Sequence, residues 1–386
     1  MPETGPGFGL YIHWPYCASK CPYCDFNSHV GSNIDHAAWA KAYGSELARY
    51  REITGQRVVD SLFFGGGTPS LMTPEMVAEV IACVDTHWKM AADVEITLEA
   101  NPTSIEVASF RDFRSAGINR VSIGVQALDD PDLERLGRKH SANEALAAIE
   151  RAQDVFQRVS FDLIYARQDQ TVSAWQNELR RAARLGTEHL SLYQLTVERG
   201  TVFGRRHATG GLPGLPDEDL SADLFEVTQE ICREFSLPAY EVSNHAKTGA
   251  ESRHNLIYWR GGDYLGIGPG AHGRLNIDGE RFATEAIRQP DAWLASTILG
   301  CGDRTMDPLS VSDRLVEYVM MSLRLSEGLA FDRLVEFGQL PAFRHSMVEL
   351  IGEGFLRSTK RGVCTTPKGR LVLNALTSRL LRSVQD

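Results

Sequence analysis

Six β-rich runs constrain the fold more than any other feature: GLYIH (9–13), SLFFG (61–65), VEITLEA (94–100), RVSIGV (120–125), RVSFDLIY (158–165) and HLSLYQL (189–195). They are rich in Val, Ile, Phe and Tyr, and most are apolar on both alternations, the pattern of parallel strands covered on two faces. Helical stretches separate them. Trp39, Tyr43, Leu47 and Tyr50 share one helix face, and 73–88, 104–116, 141–156 and 171–185 repeat that periodicity. Six βα units in succession predict an α/β fold built as a closed or partial (β/α) barrel. The rival is an open dinucleotide-binding sheet, but no G-x-G-x-x-G follows the first run, where that fold needs it.

From about residue 217 the pattern loosens, and a glycine-rich segment RGGDYLGIGPGAHG spans 260–273. The reading divides the chain into a barrel over 1–240, a connecting segment over 241–304 and a smaller C-terminal unit over 305–386. In the last unit VSDRLVEYVMMSLRLSEGL reads as helix, LVEFGQLPAFRHSMVELIGEG as helix, turn and helix, and FLRSTKRGVCTTPKG as a hairpin, together a winged-helix-like shape. Residues 343–386 hold eight Lys/Arg against three Asp/Glu. Winged helices are reused widely, so packing on the barrel is the expected role rather than DNA recognition.

A net charge of −10 argues against a general polyanion binder, and no specific nucleic-acid partner is expected. No signal-peptide pattern and no run of 18 apolar residues appears, which makes the cytoplasm the expected compartment. Seven cysteines, four of them scattered (Cys83, Cys232, Cys301, Cys364), do not read as a disulfide framework.

The other three, Cys17, Cys21 and Cys24, stand within eight positions in LYIHWPYCASKCPYCDFNSHV, just past the first run. Thiolates so spaced point to a soft metal. Zinc would need a fourth ligand such as His13 or His29. An iron–sulfur cube held by three cysteines would instead keep one iron open for a small molecule. The loop falls at the C-terminal end of a strand, where barrel sites lie. The other strand ends converge on the same mouth with Gly65, Gly66 and Gly67, then Glu99, then Gln126 with Arg138 shortly after, then Asp162, Tyr193 and Gln194. A lone acid at a strand end is most often a cap; a set placed at successive strand ends is harder to ascribe to accident.

C-x3-C-x2-C after a first strand, followed by GGGTP, resembles the radical S-adenosylmethionine (SAM) superfamily. YIHWPYC, GGGTPS, EANP, RVSIGVQ, LGRKHS and FDLIY extend the resemblance over nearly the whole chain, to the branch around oxygen-independent coproporphyrinogen III oxidase. The resemblance implies a partial (β/α)6 barrel followed by a smaller C-terminal domain. It also implies that Cys17, Cys21 and Cys24 hold a [4Fe–4S] cluster whose open iron takes the amine and carboxylate of S-adenosyl-L-methionine. Tyr11, Gly66, Gly67, Thr68, Glu99, Gln126, Arg138 and Asp162 become SAM contacts by the same route.

Two departures separate members of that branch. Where the oxidases carry a further cysteine two residues past the third ligand, this chain has Phe26, and only sixteen residues precede Cys17. The stretch RHNLIYW carries an HNxxYW pattern, His254, Asn255, Tyr258 and Trp259, similar to that of the HemW-type heme chaperones. The resemblance therefore implies heme binding through these four residues and delivery to acceptor hemoproteins, membrane respiratory enzymes among them, rather than decarboxylation of coproporphyrinogen. It also implies a flavodoxin-like electron donor and a cluster-linked homodimer, and assigns no catalytic residue. In DLIYARQDQ the turn after strand five departs from the relatives' pattern, and His272 in GPGAHG is a further candidate ligand. The competing readings are an oxygen-independent coproporphyrinogen III oxidase and, from another class, a zinc-stabilised nucleic-acid binder.

Overall fold

The structure, a computed structural model, describes residues 6–382. The outermost positions of the expected segments 1–240 and 305–386 lie outside the described residues. Strands β1 (Phe8–Trp14), β2 (Val58–Gly66), β3 (Lys89–Ala100), β4 (Arg120–Gln126), β5 (Arg158–Tyr165) and β6 (His189–Gln194) stand side by side in chain order. Each runs parallel to the next. This is the partial barrel that the six runs predict.

The sheet continues past both ends. β7 (Asn244–Ala246) pairs antiparallel with β6. On the far side β8 (Asp263–Ile267) lies parallel to β1, with Leu10 opposite Leu265 and Ile12 opposite Ile267. β9 (His272–Ile277), β10 (Glu280–Ala286) and β11 (Asp303–Pro308) then follow antiparallel. The segment 241–304, read from sequence as a connector, thus supplies four of the eleven strands and the start of a fifth. Two of its strands are interrupted by glycine and two are rich in charged residues, so no apolar run marks them. Gly266 in β8 must stay bare because a Cβ there would meet the backbone of His272.

Helices cover the outer face. Asp35 caps His36–Thr54, Thr73 caps Pro74–His87 with Pro74 in the first turn, and Ser141 with Glu144 forms a capping box on Ala142–Val155. The helix expected over 104–116 is two pieces, Ser104–Ala108 and Phe110–Ser115, broken at Ser109. Trp14, Trp39 and Trp293 are buried together, with the last two rings stacked at 5.4 Å. Each such side chain contributes about 1.5–3 kcal/mol by leaving water, so this cluster ties β1, its helix and the late helix Pro290–Ile298 into one core.

The inner face departs from the doubly apolar reading. Ser61, Glu95, Thr97, Arg120, Ser122, Ser160 and His189 are all buried on it. They reach one another across strands: Arg158 pairs with Glu95, Ser160 with His189 (2.6 Å), and Ser122 with Asp162 (3.2 Å). Single polar letters inside β-branched runs carried this alternation. The C-terminal unit carries the expected helices and hairpin, but its first helix ends at Ser322 and the sequence reading does not include a further helix, Leu373–Arg382. Helices Val311–Ser322, Phe331–Glu336 and Leu340–Gly352 pack with a three-stranded sheet of Leu329–Ala330, Leu356–Ser358 and Gly362–Thr365. Leu315, Val319, Phe343, Leu350 and Leu380 form its separate core.

Candidate cofactor site

A cavity of about 440 Å³ opens at the C-terminal ends of β1 to β6. Cys17, Cys21 and Cys24 stand on one wall of it; Gly66, Gly67, Thr68, Glu99, Gln126, Arg138 and Asp162 form much of the rest.

The thiol loop is shaped by the chain around it. The amide of Cys24 donates to the Cys21 carbonyl at 3.2 Å, closing a turn. Thr68 Oγ1 donates to Cys17 Sγ at 3.3 Å, Arg138 Nη1 reaches Cys21 Sγ at 3.5 Å, and Ser28 Oγ lies 3.8 Å from Cys24 Sγ. Each sulfur thus has at least one polar neighbour. Burial raises the Cys17 and Cys24 thiols above their usual range, with the hydrogen bond from Thr68 opposing it at Cys17. The other end of the loop is tied down by Asn27, whose Nδ2 donates to the carbonyls of Pro269 and Arg288, both at 2.8 Å.

The glycine turn runs beneath that loop. Gly67 N donates to Trp14 O at 2.7 Å and Thr68 N to Tyr16 O at 2.8 Å. A Cβ on Gly67 would sit 2.6 Å from the Tyr16 carbonyl oxygen, and Gly66 has φ +114°. Only glycine allows the two backbones to lie this close.

Glu99 Oε2 accepts the Gly66 amide at 3.2 Å. Burial, with Asp162 nearby, pushes its carboxyl up to about 8. Asp162 accepts from Ser122 and is pushed by burial up to about 6. Gln126 holds a left-handed φ of 72°, uncommon outside glycine, and its Oε1 is buried without a hydrogen-bond partner. A strained backbone and an orphaned acceptor thus coincide on the cavity wall, where a donor from a bound molecule would satisfy the oxygen. Arg138 is anchored by Asn101 Oδ1 and the Gly124 carbonyl, both at 2.6 Å, leaving its Nε without a partner.

The residues fit a cluster with a small zwitterion beside it. Among the described residues no three His, Cys, Asp or Glu side chains converge on one ion. The three thiols instead line one side of a larger space. His13, a candidate fourth ligand, has both ring nitrogens engaged, with Tyr11 Oη and Asn27 O at 3.0 Å. His29 lies 3.3 Å from Asn27 Oδ1. Against the thiols stand a bare backbone turn, two carboxyls and an unpaired amide oxygen, suited to an amine, a carboxylate and ribose hydroxyls.

Two expected groupings fall elsewhere. Tyr11 is not on the cavity wall. Its hydroxyl meets His13 and its ring stacks on Phe63 (6.2 Å) and His254 (6.2 Å) inside the barrel. The HNxxYW residues lie on helix Arg253–Trp259, near the N-terminal ends of β1 and β2 and away from the thiols. His254 is 1% exposed, with Nδ1 2.7 Å from Ser61 Oγ and Nε2 against Tyr258 Oη. Burial depresses it to about 3. Axial ligation by His254 therefore requires one of these bonds to break. Asn255 reaches Tyr240 Oη at 3.5 Å, Trp259 lies under the Arg324 guanidinium, and His272 is exposed at the start of β9.

The sequence reading missed Asn101, which donates to Thr68 at 3.1 Å while accepting from Arg138. It lies inside EANP, but nothing in that motif distinguishes a bridging amide from a turn residue. It also missed Ser122, a small hydroxyl in an apolar run, and Ser28.

Residues 11–182 match the radical SAM superfamily and residues 309–372 the HemN C-terminal domain. The chain is 40% identical to radical S-adenosyl methionine domain-containing protein 1, mitochondrial, of Bos taurus, covering 98% of this chain and 88% of that protein. It is 36% identical to the heme chaperone HemW of Escherichia coli, covering 96% and 97%. The coproporphyrinogen III oxidase of Escherichia coli has the same fold, with a TM-score of 0.80 at 21% identity over 97% of this chain and 90% of that one. A barrel of sequential parallel strands, a three-thiol loop at its mouth and a full-length likeness to these relatives place the chain in the radical SAM superfamily, within the HemW-type family.

Proposed function

We propose that this protein binds heme and delivers it to acceptor hemoproteins, on a scaffold that holds a [4Fe–4S] cluster and SAM, and that it lacks coproporphyrinogen oxidase activity. The observation that carries this reading is the 36% identity, over nearly the full length of both chains, to a heme chaperone. The likeness to the oxidase is one of fold. Phe26 adds to it: where the oxidase pattern has a further thiol, a ring 59% exposed stands at the cavity rim.

Cys17, Cys21 and Cys24 would hold the cluster. When bound, it and SAM supply one-electron chemistry. Thr68, Arg138 and Ser28 place polar hydrogens toward the three sulfurs and offset their negative charge. Gly66 and Gly67 allow close backbone approach, Gln126 Oε1 accepts one donor, and Glu99 and Asp162 favour an ammonium or hydroxyls on that wall. Seven free thiols, none paired, accord with a reducing compartment such as the cytoplasm. The flavodoxin-like donor and the homodimer remain part of the proposal on family grounds.

An anaerobic reconstitution tests the reading. Iron and sulfide near four per chain, and a heme titration giving a stable Soret band, support it. Conversion of coproporphyrinogen with release of 5′-deoxyadenosine overturns it.

A further inference from the structure

A second cavity, of about 370 Å³, lies between the barrel and the C-terminal unit, where β8 and β9 face helices Val311–Ser322 and Phe331–Glu336. Its charge is unlike that of the chain. Arg57, Arg274, Arg281, Arg314 and Arg333 line it against only Asp263 and Glu317, an excess of three positive charges in a protein of net charge −10.

The carboxylates present are already shared. Asp263 takes both Arg57 and Arg281 as well as the side chain of Asn276. Glu317 takes Arg274 at 2.7 Å. Arg333 pairs with Glu336, which lies outside the lining, so an excess of two remains. Arg314 has no carboxylate partner among the described residues, and its Nε is buried without a hydrogen bond. Its guanidinium lies 5.8 Å from the Phe337 ring centre. Arg281 is 9% exposed, and burial lowers its affinity for the proton despite Asp263. Buried cations left short of counter-charge are stabilised by an incoming anion.

Four rings stand among the remaining lining residues, beside glycines, Asn276 and Met321. Tyr258 and Tyr264 meet edge to face at 4.6 Å, and Tyr318 and Phe337 lie at 5.9 Å. Surplus guanidinium beside rings fits a flat π-system that carries carboxylates. Tyr258 belongs to the HNxxYW stretch and points its hydroxyl at His254, so one side chain links the barrel interior to this cavity.

We propose that this cavity, not the mouth with the cysteines, receives the carboxylate edge of the tetrapyrrole, with Arg314 as its principal unpaired cation. The inference rests on the heme-carrier reading above.

The test titrates heme and its dimethyl ester, which lacks the charges, into the wild-type protein, Arg314→Gln and Arg314→Lys. Arg314 makes no ion pair to lose, so thermal unfolding should stay close to wild type. The expected result is heme binding weakened about tenfold in Arg314→Gln and held within about threefold in Arg314→Lys. The ester should bind wild type more weakly than heme and ignore the Gln substitution. Wild-type heme affinity in a folded Arg314→Gln overturns the assignment, as does an ester that binds as tightly as the acid. Should Arg314→Gln not fold, the ester comparison alone decides. Failure of wild type to bind heme at all overturns the carrier reading itself, a different outcome from heme binding that ignores Arg314.

Discussion

Thr68 donates its hydroxyl to the sulfur of Cys17 at 3.3 Å, so the turn after the second strand sets the electrostatics of a thiol on the loop after the first. Hydrogen bonds to cluster sulfurs stabilise the reduced form, which carries the extra negative charge. Thr68→Val should therefore retain iron and sulfide after reconstitution yet show a lower midpoint potential by anaerobic redox titration. An unchanged potential would mean that Thr68 only braces the loop.

Glu99 titrates near 8 in the fold and near 4.5 when unfolded. Between those values the native protein holds the extra proton, so this group's contribution to stability falls as pH rises and its full penalty is present above pH 8. Glu99→Gln should flatten that slope and stabilise the cofactor-free protein at pH 8.5 by on the order of 2 kcal/mol, read by urea unfolding. A steeper slope in the variant would refute the assignment.

Gln126 joins a strained backbone to an unsatisfied oxygen. Gln126→Gly should relieve the left-handed conformation and leave the cofactor-free protein as stable or more so, by up to about 1 kcal/mol. The same change should weaken SAM binding by about tenfold, measured calorimetrically on reconstituted protein. Equal SAM affinity in the two proteins would make Gln126 a structural residue.

Five buried histidines are held neutral by desolvation: His13, His140 and His245 to about 4, His254 to about 3, and His189 well below its usual value. All five take up their proton on unfolding near pH 6.5, so their contribution is complete above that pH and is lost as pH falls toward 4. Denaturant midpoints should drop steeply across this window, and His254→Gln should remove about one proton from the dependence. Tyr258→Phe, which strips the partner from His254 Nε2, should cost about 1–3 kcal/mol at pH 7.

Much of this was legible in the residues because the features are local. Six apolar runs predicted six parallel strands, and three thiols with a glycine turn and acids at successive strand ends predicted a common mouth. What stayed hidden depends on facing. Ser122, Ser160 and Thr97 are single polar letters in apolar runs, and only the assembled sheet shows that they share the inner face. β8 and β9 carry a glycine each, and β10 and β11 are rich in charged residues, so none of the four showed the apolar run that marks β1 to β6. His254 shows the same limit from the other side: an exposed ligand and a buried histidine with two partners read alike in RHNLIYW.

The two carbonyls that anchor Asn27 lie 242 and 261 residues further along the chain. β1 is likewise flanked by β8, made from the same late stretch. At roughly 5–20 residues per second, the ribosome takes on the order of 12–50 s to supply those partners after the thiol loop has emerged. During that interval the nascent loop lacks its outer tether. Its shape is completed late in synthesis, which sets the earliest moment at which a cluster held by the three thiols could be delivered to a finished receptacle.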